Sequence, residues 1–163
     1  RIGTGDVPAQ TLSADQQVQD CLTALAGIIQ QYQIEVSIGN LSYLLHGDPL
    51  HFGQIWQNLI ENAVKYKGDQ PQIEIGATQE GQDVVFYVRD NGMGIAPEHS
   101  ERIFNLFSQL NPGSDGSGLG LALVKKIVSI YQGRIWVESE GKGKGSCFYF
   151  TLPGALDKAG TAT

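Results

Sequence analysis

The stretch Gln54–Lys67, QIWQNLIENAVKYK, constrains this chain more than any other. Asp48 ahead of it suits an N-cap, and Pro49 suits the first helical position, where a missing N–H costs nothing. At about 100° per residue the stretch divides cleanly in two. Ile55, Trp56, Leu59, Ile60, Ala63 and Val64 fill one half; Gln54, Gln57, Asn58, Glu61, Asn62 and Lys65 fill the other. The pattern predicts a helix with one side pressed on a core. Asn58, Asn62 and Lys65 line up at i, i+4 and i+7, with Tyr66 at the boundary. Two carboxamides and an ammonium in one row suit a metal ion and phosphate oxygens. Taken alone, the same pattern describes an ordinary amphipathic surface helix, so the rest of the chain must decide.

Upstream, Arg1–Leu12 is rich in Gly, Pro and Thr and reads as a linker. Ser13 and Gln16 make a capping box, and Val18, Leu22, Leu25 and Ile29 then repeat at helical spacing up to about Tyr32. Ile34, Val36 and Ile38 alternate as a half-buried strand ending at Gly39-Asn40, and a loop is expected through Leu41–Gly47. Downstream, Gly68–Pro71 breaks the central helix. Gln72–Thr78 and Asp83–Arg89 then alternate around a short turn, which predicts an antiparallel hairpin. DNGMGI follows at Asp90–Ile95, then a loop with a short helix from Pro97 to about Leu110, then the turn-rich Asn111–Gly116. A helix is predicted over Gly118–Tyr131, with Leu119, Leu123, Ile127 and Ile130 on its apolar stripe. Arg134–Glu138 and Ser146–Leu152 form a last hairpin around Gly141–Gly145, and Pro153 closes the domain. The expected organisation is a linker over 1–12, one domain over 13–153 and a frayed tail over 154–163. The expected fold class is α+β, a mixed sheet of about five strands with helices on one face.

Composition narrows the partners. A chain of 163 residues suits one domain with a sizeable core. A net charge of −6 argues against a broad basic face for nucleic acid. No apolar run approaches membrane-spanning length, so no membrane contact is expected of this domain. Cys21 and Cys147 lack paired metal spacing and read as free thiols in a reducing compartment.

The glycines cluster in two places that matter. In DNGMGI, they permit positive φ and close approach of backbone to a ligand. Asp90 at the strand end can accept a hydrogen bond from an exocyclic amine, and Ile95 can contact a flat base. Asp-Asn-Gly is equally at home in an ordinary strand-ending turn. GSGLGL, Gly116–Leu121, opens a helix, where free N–H groups and the dipole attract phosphate. It is not a dinucleotide fingerprint, since Leu121 holds the sixth position and a polar loop precedes it. Nor is there a Walker-type Gly-x-x-x-x-Gly-Lys-Ser/Thr run.

Together, these stretches resemble the ATP-binding catalytic domain of sensor histidine kinases, in the GHKL superfamily that also holds gyrase, the Hsp90-type ATPase and MutL. NLIENAVKY resembles the N box, DNGMGI the G1 box, RIFNLF the F box and GSGLGLALVKKIV the G2 box. GKGKGSCFYFTLP resembles the closing hairpin, so the likeness runs from about Ser13 to Pro153. The resemblance implies a Bergerat fold, a two-layer sandwich with a mixed, mainly antiparallel sheet, three main helices and an ATP lid over roughly Ile95–Gly116. It implies Mg²⁺ on the Asn62 oxygen, with Asn58 in support and Lys65 on phosphate. Tyr66 and Ile95 would lie near the base, and Asp90 would read its amine, with Gly92 and Gly94 giving access. Ser117, Gly118, Leu119, Gly120 and Leu121 would form the phosphate-facing helix start, and Phe104 and Phe107 would anchor the lid. Asn58, Glu61 and Lys65 form the expected catalytic row. Glu61 has two open readings, one polarising an incoming imidazole and one as a solvated helix residue.

The resemblance further implies ATP and Mg²⁺ as ligands. It implies as partners a histidine-acceptor dimerisation domain of the same kinase and a response-regulator receiver domain. A cytoplasmic, monomeric fragment follows, whether or not the parent kinase is membrane-anchored. Related ATPases carry a water-activating Glu four residues before the metal Asn. Here that position is Asn58, which favours transfer over hydrolysis. No acceptor segment is present: His46, His51 and His99 lack its surroundings, and Arg1-Ile2-Gly3 resembles the tail of an acceptor hairpin. The expectation is a catalytic domain from a longer kinase. The family's basic residue after the second Phe is also missing, with Ser108, Gln109 and Leu110 in its place and Lys67 as a substitute. The alternatives are a serine kinase or ATPase of the same superfamily, and a non-catalytic nucleotide-sensing module.

Overall fold

A computed structural model describes residues 9–105 and 120–157. Its centre is a five-stranded sheet. The strands are β2 (Glu35–Ile38), β4 (Gln72–Glu80), β5 (Asp83–Asp90), β6 (Ile135–Glu138) and β7 (Ser146–Thr151), in the order β2-β4-β5-β7-β6. Only β2–β4 is parallel; the other three pairings are antiparallel. The mixed, mainly antiparallel α+β architecture is therefore the expected one.

The central helix is α3, Pro49–Lys65. It begins as the sequence predicts, with Asp48 as N-cap accepting from the Leu50 N–H at 2.9 Å. Its apolar half is buried, and Trp56 sets its position. The indole meets Phe86 on β5 and Phe150 on β7 edge-on, at centroid distances of 5.8 and 5.1 Å. Those two rings stack at 5.3 Å across the sheet. Burying aromatics of this size dominates core energetics. Ile73, Ile75, Val88 and Phe148 extend the same face of the sheet, with α4 (Gly120–Ile130) adding Val124, Ile127 and Val128. Fixing one half of α3 this way leaves its polar row facing outwards.

Several expectations need correction. The helix expected from Ser13 to Tyr32 is two, α1 (Ala14–Ala24) and α2 (Ala26–Gln31). The Ser13 cap is present, accepting from Gln16 at 3.2 Å. The chain tightens at Leu25, whose N–H reaches the carbonyls of both Cys21 and Thr23. The expected loop over 41–47 contains β3, Tyr43–Gly47, with Tyr43 and Leu45 buried and His46 exposed. β3 is the middle of a second, three-stranded sheet, between β1 (Gln10–Ser13) and β8 (Leu156–Asp157). The linker and tail thus each lend a short strand to β3, which supplies the two edges they pair with. Neither is long enough to show a period of its own. Finally, in the described part of the segment expected to hold a short helix from Pro97 to about Leu110, the chain forms two 3₁₀ turns, Pro97–His99 and Arg102–Phe104.

Both cysteines are free and buried. Among the described residues, no helix is long and apolar enough to cross a membrane.

Candidate functional site

The C-terminal end of α3, the end of β5 and the start of β7 meet at one cavity. Asn62 and Tyr66 come from α3, Asp90, Gly94 and Ile95 from the strand end and its loop, and Ser146 and Phe148 from β7. Ile103 and Leu121 complete the wall. The cavity holds about 430 Å³ of empty space, counting its open mouth. A mostly apolar pocket with a few convergent polar groups is the usual form of a small-molecule site.

Asp90 is the polar centre. The β5–β7 register sets Ser146 directly opposite it. One carboxylate oxygen accepts from the Gly92 N–H at 2.8 Å, the other from the Ser146 hydroxyl at 2.9 Å. Burial raises the Asp90 pKa above the ordinary carboxylate range, and these donors offset that only in part. A carboxylate has about four acceptor sites, more than these donors fill, so the group is orientated but not saturated.

The loop after Asp90 is pinned from both sides. Toward α3, the Met93 N–H donates to the Tyr66 carbonyl at 2.9 Å. A Cβ on Gly92 would lie 2.3 Å from that same oxygen, so only glycine fits. Toward the β6–β7 turn, Gly94 has φ +74°, and a Cβ there would stand 2.0 Å from the Gly141 carbonyl. The two glycines of the motif are thus required by close approach of backbone, more than by turn geometry alone.

The expected residues do not all converge. Asn62, Tyr66, Asp90, Gly94, Ile95 and Leu121 line the cavity. Gly92 stands behind Asp90. Asn58 lies one turn away along α3, its Nδ2 donating to the Gln54 carbonyl at 2.7 Å and its oxygen turned toward Gly120. Lys65 is exposed, 5.2 Å from the Tyr66 ring centroid. Glu61 is exposed and close to α1, where burial first and Glu61 second push the Cys21 thiol up to about 11. Phe104 is buried edge-on against Phe148 at 6.0 Å. Phe107, Ser117, Gly118 and Leu119 lie outside the described residues. Lys67, the expected substitute, has its ammonium 3.7 Å over the Tyr32 ring.

Ile103, Ser146 and Phe148 were not anticipated. Ile103 sits inside RIFNLF, between a charged residue and a phenylalanine, with no local pattern that marks it as a cavity residue. Ser146 is a small hydroxyl opening a strand, and only strand pairing reveals its partner.

The donor set speaks to metal type. Among the described residues no group of three His, Cys, Asp or Glu side chains could hold an ion. The Asn62 carboxamide offers one hard oxygen. That suits Mg²⁺, which keeps several waters and bridges substrate phosphates, and does not suit a tightly held resident metal.

The family described as "Histidine kinase-, DNA gyrase B-, and HSP90-like ATPase" matches residues 47–156. The methanogenesis regulatory histidine kinase FilI of Methanothrix harundinacea is 40% identical over 155 residues, covering 94% of this chain and 17% of FilI. Cyanobacterial phytochrome A of Nostoc is 50% identical over 103 residues, covering 61% of this chain and 13% of that protein. The chain therefore spans less than a fifth of either relative. Among solved structures, full-length ShkA in complex with AMPPNP superposes with a TM-score of 0.80 at 27% identity, over 93% of this chain and 32% of that one.

Proposed function

The chain belongs to the histidine kinase-, DNA gyrase B- and HSP90-like ATPase family, and we propose that it is the ATP-binding catalytic domain of a two-component sensor histidine kinase. The observation that carries this is the half-buried Asp90 carboxylate, held by Gly92 and Ser146 in the wall of a cavity that also presents one metal-suited oxygen, that of Asn62. Such a carboxylate accepts from the exocyclic amine of adenine and would repel the carbonyl that guanine carries there. Tyr66, Ile95 and Phe148 supply apolar surface for the flat base. AMPPNP in the ShkA neighbour, an adenine nucleotide, agrees with this choice of ligand.

The Asn62 oxygen would hold Mg²⁺, which would neutralise phosphate charge when bound. Lys65 would reach phosphate from its exposed position, and the backbone N–H groups at the start of α4 would complete the cradle. Catalysis is then chiefly orientation and charge neutralisation. The Asn58 carboxamide is not a base near neutral pH, and one of its amide hydrogens is donated to the Gln54 carbonyl. An amide at this position takes no proton from water, so the γ-phosphoryl group is kept for a histidine on a separate acceptor domain, which later passes it to a response-regulator receiver. Glu61 is exposed one turn away, and in this reading it would polarise an acceptor imidazole arriving from outside.

The test is incubation with γ-labelled ATP and a separately made acceptor-helix domain of a relative. Label on histidine, stable to base and lost in acid, is the expected result. Nucleotide binding without transfer to any acceptor tried would favour a sensing module, and label on serine a serine kinase.

A further inference from the structure

Ser139 stands just after β6, outside every motif that marks the site. Its hydroxyl has one proton to donate and two lone pairs to accept with, and all three are used. It donates to the Gly145 carbonyl at 2.6 Å and accepts from the N–H groups of Ile95 at 3.0 Å and Gly141 at 3.1 Å. These partners belong to two different elements. Ile95 ends the DNGMGI loop, and Gly141 and Gly145 bound the β6–β7 turn. Two backbone bonds join the same surfaces, from Gly143 N–H to the Met93 carbonyl at 2.6 Å and from Gly145 N–H to the Gly92 carbonyl at 3.1 Å. Ser139 is the side chain that spans this seam, and it is partly buried.

The seam bears directly on the cavity. Ile95 is 6% exposed and lines it. Gly94 lines it too, with the Gly141 carbonyl packed where a Cβ would be. Ser146, which holds Asp90, follows Gly145 directly. The bond from Ile95 N–H to Ser139 therefore fixes how far the Ile95 side chain reaches into the pocket. Removing the hydroxyl strands two N–H groups and a carbonyl together, and a stranded buried group costs more than a bond is worth.

We propose that Ser139 is a positioning residue for the nucleotide base: it touches no ligand, but clamps the Asp90–Ile95 loop to the β6–β7 turn and so sets the width of the base pocket. This rests on the adenine-nucleotide reading above. It predicts that loss of the hydroxyl weakens binding through the base end only, by an equal factor for ATP, ADP and adenosine.

The experiment compares the unmodified chain with Ser139→Ala and Ser139→Thr, measuring affinity for ATP, ADP and adenosine by calorimetry. Ser139→Ala should bind all three about tenfold more weakly, the scale of one lost charge-free anchor. Ser139→Thr, which keeps the hydroxyl, should recover at least half of that loss on a logarithmic scale. Val18→Ala, at a buried α1 position, serves as a control for stability loss without loss of affinity. If the unmodified chain binds no adenine nucleotide, the functional reading itself fails. If it binds but Ser139→Ala binds equally well, or loses affinity for the triphosphate alone, the clamp is overturned. Amide hydrogen exchange on the unmodified chain decides the matter even if Ser139→Ala does not fold. The Ile95 amide should exchange as slowly as those of β5, and exchange at a free-loop rate overturns the clamp.

Discussion

The side-chain oxygen of Asn58 lies 2.7 Å from where a Cβ on Gly120 would stand. The first described residue of α4 is thus a glycine because α3 passes too close for anything larger. Rotating the amide away would break its bond to the Gln54 carbonyl. Gly120→Ala should therefore displace the start of α4, costing about 1–3 kcal/mol from overpacking, less what alanine returns in helix propensity. Nucleotide affinity should fall with it, by tenfold or more. Adding Asn58→Ala should restore part of the stability. A double-mutant cycle by urea denaturation checks this, and strictly additive effects would refute the contact.

Asp90 is half-buried, and the loss of water around it disfavours its charged form. Its folded pKa is raised above the unfolded value. The folded state then holds the proton more tightly, so stability falls as pH rises from the ordinary carboxylate pKa through the raised one, and the penalty persists above it. Asp90→Asn should remove that penalty and make the empty protein more stable at neutral pH than the parent. The same variant should lose adenine-nucleotide binding by a hundredfold or more. In the parent, affinity should drop on acidification at a pH above that of an ordinary aspartate. Thermal melts and calorimetry across pH 4–8 test both halves; unchanged binding by Asp90→Asn would refute the base assignment.

A second polar knot joins the start of α3 to the end of α4. The Tyr131 hydroxyl accepts from the Asp48 N–H at 3.0 Å and is 2.7 Å from His51 Nδ1. The ring lies over Gly47, where a Cβ would meet it at 2.6 Å. Tyr131→Phe strands two partners and should cost about 1–2 kcal/mol. Gly47→Ala should cost about as much or more. Both leave the cavity intact, so nucleotide affinity measured well below their melting points should match the parent.

Hydrolysis gives a fourth check. With an amide at Asn58, which cannot take a proton from water, the chain alone should turn over ATP far more slowly than a dedicated ATPase of the same family. Phosphate release under saturating nucleotide measures this. Rapid turnover would mean that another group activates water.

Much of this was readable in the chain. The polar row of α3, the glycines around Asp90 and the cap at Asp48 are local patterns. Helical and strand periods, turn chemistry and short motifs report on residues a few positions apart, and that is the range over which those patterns act. The fold class followed from the same signals. The second sheet did not. β1 and β8 are too short to carry a period, and they exist because β3 offers them edges.

What the sequence determined by itself is which side chains are offered: an acid at a strand end, two carboxamides in a row, glycines where backbone must come close. Tertiary structure alone decided which of them meet. Ser146 reaches Asp90 across a separation of 56 residues because β5 and β7 pair in one register. A one-residue slip would turn its hydroxyl to the other face. Asn58 meets Gly120, and Ser139 meets Ile95, for the same reason: packing of elements far apart in the chain leaves no local periodic trace, yet it fixes the distances on which the site depends.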